Sequence, residues 1–327
     1  MKRREFIAGL GGVVTSPILA RAQPADRMRR IAVLMDSPQD DRGRPRLVAF
    51  IQGLMDLGWN EGRDLTFEVR WNANTPERSR TLASELMALN PDVVLTSGST
   101  ATGAMRLLST TMPIVFALVA DPVGAGFVDS LSRPGRNVTG FTLFEYTLAA
   151  KWLELLQEIA PNIKRVGVLR DAGVAAGAGQ FGVIQAAAPS FGVEVRALSL
   201  SDADEIQRTM TAFAPGPNDG LIVTATPLAG IHREQIIALA NKLRLPSVFA
   251  YRHFVSAGGL VSYGPDLIYP FRRAATYVSR LLRGEKAADL PVQAPTSYEL
   301  AINVRTAKAL NLILPGALLA RADEVIE

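Results

Sequence analysis

The residues whose types and spacing best suit ligand chemistry form the run Ser97-Gly98-Ser99-Thr100-Ala101. This run joins the predicted end of a strand to the predicted start of a helix, so unpaired backbone N–H groups and two hydroxyl groups would face one opening. The arrangement suits a ligand carboxylate, with Ser99, Thr100 and Ala101 as candidate contacts. Capping of the helix by Ser99 or Thr100 is an alternative interpretation. Both interpretations remain open, because one residue can serve both purposes.

Further candidate ligand contacts follow other predicted strands. Asp121 comes after the strand that begins at Pro113, where its carboxylate could bind a ligand ammonium group or could cap the turn that begins at Pro122. Each remaining candidate carries a polar or aromatic side chain at a strand end, with an alternative role in packing or turn formation. These candidates are Ser37, Asp171, Thr226, Tyr251 and Tyr263. Of these, Tyr263 offers an aromatic face to a flat solute.

Patterns typical of catalytic, cofactor and metal sites are incomplete. His232 and His253 have no ligating residue three or four positions away, so we predict no metal site. The run Gly177-Ala178-Gly179-Gln180-Phe181-Gly182 matches G-x-G-x-x-G, but it begins well after the predicted strand end at Leu169. A dinucleotide site needs the first glycine directly after the strand, so this run predicts a flexible loop entering a helix. No G-x-S-x-G sequence is present. We therefore predict no enzymatic activity, no catalytic residues and no cofactor.

Short apolar runs alternate with amphipathic stretches and must position these residues. In the first half they predict a β-α-β-α-β-α-β order, which is typical of a doubly wound parallel sheet. The second half repeats the cycle, since residues 91–96 and 113–117 resemble residues 218–224 and 246–250. The sequence therefore predicts an α/β protein with two doubly wound parallel-sheet lobes joined by a hinge.

The boundaries of the two lobes follow from the predicted crossings between them. The stretch 113–141 contains a strand, a polar turn and a second strand, and it predicts the first crossing. Residues 259–263 predict the return crossing. The N-terminal lobe is then expected at 28–141 plus about 264–288, and the C-terminal lobe at 142–263 plus about 296–327.

The first 22 residues have the pattern of an export signal. Arg3-Arg4 precedes an apolar run that is too short to span a bilayer, and Ala20-Arg21-Ala22 ends the segment. A twin-arginine signal cut after Ala22 is expected, which predicts a periplasmic protein. The cut removes four basic residues and one acidic residue and lowers the formal net charge from +4 to about +1. The mature charge, with no basic stripe, gives no support for nucleic-acid binding. The chain has no cysteine, which excludes a lipid-modified cysteine anchor, thiolate metal sites and thiol catalysis.

Three segments together carry a resemblance to a known family. They are 113–141 (PIVF…DPVG…RPG…NVTGF), 252–264 (RHFV…AGGLVSYG) and 301–310 (AINVRTAKAL). In these segments the chain resembles ABC transporter substrate-binding proteins of the tryptophan/tyrosine type, and the similarity covers essentially the whole mature chain. The resemblance implies a type I periplasmic binding protein fold that delivers a small solute to a permease in the inner membrane.

Three functions are compatible with the sequence. The preferred one is a monomeric periplasmic receptor for an amino acid or a related carboxylated or aromatic solute. The others are an exported ligand-sensing domain that acts through a partner sensor protein, and a Rossmann-type enzyme. Ligand binding, a partner search and a nicotinamide-binding measurement would separate them.

Overall fold

The computed structural model describes residues 27–40, 42–213 and 216–327, so the predicted export signal lies outside the described residues. Short apolar runs form strands and amphipathic stretches form helices, as their periodicity predicts. The first half contains β1 (Arg29–Leu34), α1 (Gly43–Asp56), β2 (Leu65–Arg70), α2 (Pro76–Ala88), β3 (Val93–Ser97), α3 (Gly98–Leu108), β4 (Ile114–Val119) and β5 (Val138–Thr142).

The second half continues the alternation and ends with short elements. It contains α4 (Leu148–Ile159), β6 (Arg165–Arg170), α5 (Ala175–Phe191), β7 (Glu194–Ser199), α6 (Ala203–Phe213), β8 (Asp219–Val223), α7 (Pro227–Ile231), α8 (Arg233–Lys242) and β9 (Ser247–Phe249). It then contains α9 (Arg252–Ser256), β10 (Val261–Pro265), α10 (Tyr269–Leu282), β11 (Tyr298–Asn303), α11 (Val304–Ala309), α12 (Gly316–Ala320) and β12 (Glu324–Ile326).

The first lobe is built on a parallel sheet in the order β2-β1-β3-β4-β5. Every residue of β3, β4 and β5 is buried, as expected where helices cover both faces of a parallel sheet. The register between β4 and β5 shifts between Ala117 and Val119. At the shift Leu118 has a φ of +60°, a conformation that is costly for a branched side chain. This irregularity turns the chain just before Asp121, where the sheet ends.

The second lobe is built on a seven-stranded sheet in the order β12-β11-β10-β9-β8-β6-β7. Its pairs are parallel except for β10 and β11, where Val261 lies opposite Ile302 in an antiparallel ladder. The prediction of a return crossing at 259–263 is wrong for its second half, since Val261–Pro265 forms β10 inside this sheet. The run of small and apolar residues was compatible with either role, and pairing with two neighbouring strands decides for the sheet.

Helix α10 returns the chain to the first lobe. Its Phe271 is fully buried in the core of that lobe, and its Ser279 hydroxyl accepts a hydrogen bond from Trp59 Nε1 at 2.9 Å. The chain then passes back beside β5, where the Gln293 carbonyl accepts from Thr142 N at 2.8 Å. The chain therefore crosses between the sheets after β5, after β10 and again after α10.

Each lobe has a hydrophobic core of its own. Phe50 and Phe271 are fully buried in the first lobe, and Trp152 on α4 is fully buried in the second. Burying one side chain of this size contributes about 1.5–3 kcal/mol. Trp152 also donates its indole N–H to the Tyr263 carbonyl at 2.6 Å, which leaves its polar atom paired. The predicted fold class, α/β with two doubly wound parallel-sheet lobes, is confirmed.

The described residues contain neither a membrane-spanning helix nor a candidate metal cluster. None of the described helices combines the length and apolar character that a bilayer span requires. Likewise, in residues 27–40, 42–213 and 216–327 no three histidine, aspartate or glutamate side chains are grouped as a metal site would require.

Candidate functional site

Side chains from the two lobes meet where the strands of both sheets end. Tyr251, which follows β9 in the second lobe, lies close enough to Asp36 and Arg46 of the first lobe for their charges to shift the pKa of its phenol. A Cβ atom placed on Gly230 would lie 3.8 Å from Nη1 of Arg42. We call this region, in which side chains of the two lobes approach each other, the seam. Ligands of open α/β sheets bind at such carboxyl ends of strands.

The first wall of the seam consists of Asp36, Ser37 and Ser97–Ala101. Ser97 is the N-cap residue of α3, yet its hydroxyl does not cap the helix and instead donates to Asp36 Oδ1 at 2.5 Å. Ser99 is exposed, Thr100 is half-buried, and Ala101 packs in the first-lobe core. Because α3 begins at Gly98, the alternative interpretation that Ser99 or Thr100 caps the helix is wrong: both residues lie inside the first turn. The first N–H groups of α3 therefore have no side-chain cap.

Gly98 brings Asp36 against the start of α3. Its φ of +77° favours glycine, and an added Cβ atom would lie 2.8 Å from Asp36 Oδ2. The negative carboxylate therefore stands at the positive end of the helix dipole. Behind it, the Ser37 hydroxyl is buried and has no hydrogen-bond partner among the described residues. This wall thus offers backbone N–H groups and hydroxyls beside one carboxylate.

Asp121 accepts a hydrogen bond within the turn after β4, and this turn-capping role is one of the two that the sequence suggests for it. Its Oδ1 accepts a hydrogen bond from Gly124 N at 2.7 Å. Across the seam lies Tyr146, whose phenol pKa is raised by burial and by the charge of Asp121. Asp121 therefore faces the second lobe while it holds its own turn.

The second wall consists of Thr226, Tyr251 and His253. Thr226 is the N-cap of α7, and its buried Oγ1 makes no hydrogen bond within the described residues. The rings of Tyr251 and His253 stack at a centroid distance of 5.6 Å. Nε2 of His253 is also buried and has no partner in the described part of the chain. The wall therefore presents unpaired polar atoms that a ligand could engage.

Electrostatics at the second wall favour neutral aromatic groups beside cations. Burial lowers the pKa of His253 to about 3, and the charges of Arg233, Arg46 and Arg42 contribute. Burial also raises the pKa of Tyr251, with Asp36 adding to the rise and Arg46 opposing it. At neutral pH both rings are therefore uncharged, and the positive charge of the seam resides on the arginines.

Asp171 and Tyr263 have their hydrogen-bond and ring contacts within the second lobe. Asp171 Oδ1 accepts from Gly173 N at 2.8 Å, as an aspartate does in a turn. The Tyr263 ring packs against Tyr298 with centroids 5.8 Å apart. The contacts of these two residues do not connect them to the first wall.

The glycine-rich run belongs to α5 and not to a loop, which corrects the prediction. A Cβ atom on Gly177 would lie 2.1 Å from the Asp171 carbonyl oxygen, and one on Gly179 would lie 2.6 Å from the Tyr146 ring. Close packing of the helix on its neighbours therefore accounts for both glycines. Within the same run, Gln180 accepts a hydrogen bond from Ala225 N at 2.8 Å, while its buried Nε2 has no partner in the described ranges.

Several residues at or near the seam were not predicted from the sequence. Arg46, Arg233 and Gln180 lie inside helices, away from the strand ends that marked the other candidates. The residues around His253 in the sequence predict no metal site and do not mark it as a ligand contact. An arginine or glutamine at a partly apolar helix position is the one available signal, and it does not reveal which neighbour the side chain meets.

Known proteins resemble this chain over most of its length. The profile of a family described as ABC transporter substrate binding protein matches residues 37–326. A tyrosine-binding protein from Clostridioides difficile is 26% identical over 86% of this chain and 80% of its own length. A solved conserved domain protein from Vibrio cholerae is 28% identical, with a TM-score of 0.83, and covers 91% of this chain and 100% of its own.

A second solved structure shares the fold at lower identity. It is a domain from Streptococcus pneumoniae in complex with L-Trp, 23% identical, with a TM-score of 0.83, which covers 92% of this chain and 100% of its own. The family description names a substrate-binding protein of an ABC transporter, and the Streptococcus pneumoniae structure holds L-Trp.

Proposed function

This chain belongs to the ABC transporter substrate-binding protein family, and we propose that it is the solute receptor of an importer that binds an amino acid or a related carboxylated or aromatic compound in the seam. The observation that carries the proposal is that both lobes contribute buried polar groups, unpaired among the described residues, beside the seam. Ser37 Oγ comes from the first lobe, and Thr226 Oγ1 and His253 Nε2 come from the second. Buried polar groups without partners are costly, so a ligand that pairs with all three would hold the lobes together.

The proposed contacts divide by chemistry. The uncapped first turn of α3 suits a carboxylate, through backbone N–H groups and the side chains of Ser99 and Thr100. Asp36 and Asp121 are the carboxylates available to an ammonium group. Tyr251 supplies an aromatic face. The full proposed set is Ser37, Ser99, Thr100, Ala101, Asp121, Asp171, Thr226, Tyr251 and Tyr263, to which the geometry adds Asp36 and His253.

Relatives support the solute class. One is described as a tyrosine-binding protein, and one solved neighbour holds L-Trp. Both solutes combine an ammonium group, a carboxylate and an aromatic ring. These are the groups for which the seam offers carboxylates, uncapped N–H groups and the Tyr251 ring.

We further propose that closure of the lobes is the signal that the permease reads. The proposed lobes are 28–141 with about 264–288, and 142–263 with about 296–327. The two separate sheets and the packing of α10 on α1 support this division, with the boundary after β10 moved to Pro265. Three chain crossings permit a hinge rotation that buries the solute. The receptor would act as a monomer in the periplasm after cleavage at Ala22, and would deliver the solute to a permease in the inner membrane.

A thermal-shift screen of residues 23–327 tests the proposal. The panel contains the amino acids together with benzoate, 4-hydroxybenzoate and phenylacetate. A ligand present at 100 times its Kd stabilises a protein by about 2.7 kcal/mol, which raises the melting temperature measurably. Isothermal titration then gives the stoichiometry, expected to be one solute per chain. Failure of every compound to raise the melting temperature would contradict the proposed solute class.

A further inference from the structure

We propose that the solute carries an acidic group in addition to the one bound at the first turn of α3, and that Arg46 and Arg233 hold this second group. The inference rests on the proposed function, because it concerns the same seam. It narrows the solute class to compounds with two acidic groups, such as a dicarboxylate or an acidic amino acid. We call Arg46, Arg233 and His253 the anion pole.

The pairing of the arginines around the seam is uneven. Arg42 is neutralised by Asp40, whose Oδ2 accepts from its Nε at 3.1 Å and from its Nη2 at 2.9 Å. Among the described residues, the nearest carboxylate to Arg46 is that of Asp36, at 3.9 Å, and Asp36 also accepts from Ser97. Arg233 reaches Glu234 alone in this part of the chain, at 4.0 Å, and the Glu234 side chain is 89% exposed. Within the described ranges, the two guanidinium groups therefore have no carboxylate at hydrogen-bond distance.

Both arginines are too buried for this to be an ordinary surface arrangement. The Arg46 side chain is 12% exposed and the Arg233 side chain is 21% exposed. Nε of Arg233 is buried without a hydrogen-bond partner among the described residues. A partly desolvated cation without a partner is unfavourable, and an anion from the solute would offset this cost. Arginine is also the side chain best suited to a carboxylate, since it can donate two parallel hydrogen bonds.

Hydroxyl and imidazole groups beside the two arginines can donate further hydrogen bonds to an anion. Thr226 contributes a buried hydroxyl without a partner, again within the described residues. His253 lies within the electrostatic reach of both arginines and remains neutral, because burial and these charges hold its pKa far below the ordinary value. A neutral imidazole can donate one hydrogen bond from a ring nitrogen. The anion pole and Thr226 therefore combine two guanidinium groups with two neutral donors, and the competing carboxylates are those of Asp36 and Glu234.

Two anion-accepting regions thus belong to different elements. The first turn of α3 belongs to the first lobe, whereas Arg233 belongs to α8 of the second. Arg46 on α1 is 3.9 Å from Asp36, and it is close enough to Tyr251 for its charge to oppose the rise in the pKa of that phenol, so it lies at the seam. A solute with an acidic group at each end would contact both lobes. An aromatic amino acid with a neutral side chain would leave the anion pole unpaired.

Matched pairs of probes test this inference in isothermal titrations of residues 23–327. The pairs are L-glutamate with L-glutamine, terephthalate with benzoate, and 4-carboxy-L-phenylalanine with L-phenylalanine. We expect the acidic member of at least one pair to bind ten-fold or more tightly than its neutral partner. Equal affinities within every pair that binds would overturn the inference and leave the receptor function standing.

Variants of the two arginines test whether their side chains cause the preference for the acidic probe. Arg46→Gln and Arg233→Gln should each weaken the acidic member at least ten-fold and change the neutral member less than three-fold, while the lysine variants should retain part of the preference. Arg208→Gln is the control, since Arg208 is 72% exposed on α6 and pairs locally with Glu205. Should a glutamine variant fail to fold, the comparison of probe pairs on the unaltered chain decides alone. Absence of binding by every probe and every amino acid would remove the receptor function and this inference together.

Discussion

The two walls of the seam differ in how they are built. The first wall comes largely from one contiguous run, Ser97–Ala101, and offers backbone N–H groups at the start of a helix. The second wall is assembled from Thr226, Tyr251 and His253, which sit at the starts of two short helices. Thr226 Oγ1 and His253 Nε2 on the second wall are buried without a partner among the described residues, as is Ser37 Oγ on the first wall, whereas Ser99 on the first wall is exposed. The comparison indicates that a contiguous wall can be recognised in a sequence, while an assembled wall is recognised from unpaired atoms in the fold.

The largest effect is expected at the second wall, because its aromatic rings also pack into the core. Tyr251→Ala removes a ring that stacks on His253 and contacts both apolar clusters of the second lobe. We expect a loss of about 3 kcal/mol in the free energy of unfolding, measured by urea denaturation, together with loss of solute binding. Tyr251→Phe keeps the ring and should unfold within about 0.5 kcal/mol of the unaltered chain. A small effect of Tyr251→Ala would contradict the expectation that the second wall contributes more to the free energy of unfolding than the first.

A second effect should appear as a pH dependence that belongs to the second wall alone. Burial lowers the pKa of His253 to about 3, from an ordinary value of 6.5, and the charges of Arg233, Arg46 and Arg42 add to the shift. Between these values the unfolded chain binds the proton more tightly than the folded chain. The stabilising contribution is therefore complete above pH 6.5 and is lost as the pH falls towards 3.

His253→Gln removes this contribution, so the difference in unfolding free energy between variant and unaltered chain should shrink as the pH falls from 7 to 5. The slope for one proton cannot exceed about 1.4 kcal/mol per pH unit. Urea denaturation at several pH values measures it. A constant difference over this range would mean that His253 has the same pKa in the folded and the unfolded chain. His232→Gln, at a half-buried position between α7 and α8, serves as the matched control.

The smallest effects should separate stability from binding within the first wall. Ser97→Ala leaves Asp36 without its hydroxyl donor and should lower the free energy of unfolding by about 1–2 kcal/mol. Ser99→Ala should change stability by less than about 0.5 kcal/mol, because Ser99 is exposed, and should weaken solute binding about ten-fold. Urea denaturation and titration of the same two variants give both numbers. The opposite pattern would assign the ligand contact to Ser97.

Much of the fold followed from local patterns. Strands β1, β3 and β4 are β-branched runs with no charged residue in their buried parts, and α2 begins at Pro76 after the capping Thr75, as its sequence predicts. The short strand β12 was not predicted, since three residues carry too little periodicity. The stretch 259–263 was misassigned because glycines and apolar residues suit both a crossing and a buried strand.

Less of the site could be predicted, and the reason is again physical. Ser99, Thr100 and Asp121 were predicted as ligand contacts because they follow strand ends, where parallel sheets place their ligands. The role of Ser97 could not be foreseen, since its partner Asp36 is 61 residues earlier in the chain. Arg46 and Arg233 were missed because a charged residue on a helix usually faces solvent.

By itself the sequence determined the α/β alternation, the two lobes and the polar strand ends, because these depend on periodicity and on residue type within short windows. Only the tertiary structure decided which polar atoms are left unpaired, which arginines lack a carboxylate and which ring faces which lobe. Those properties depend on burial and on distances between residues far apart in the chain, since desolvation and Coulomb interactions act through space.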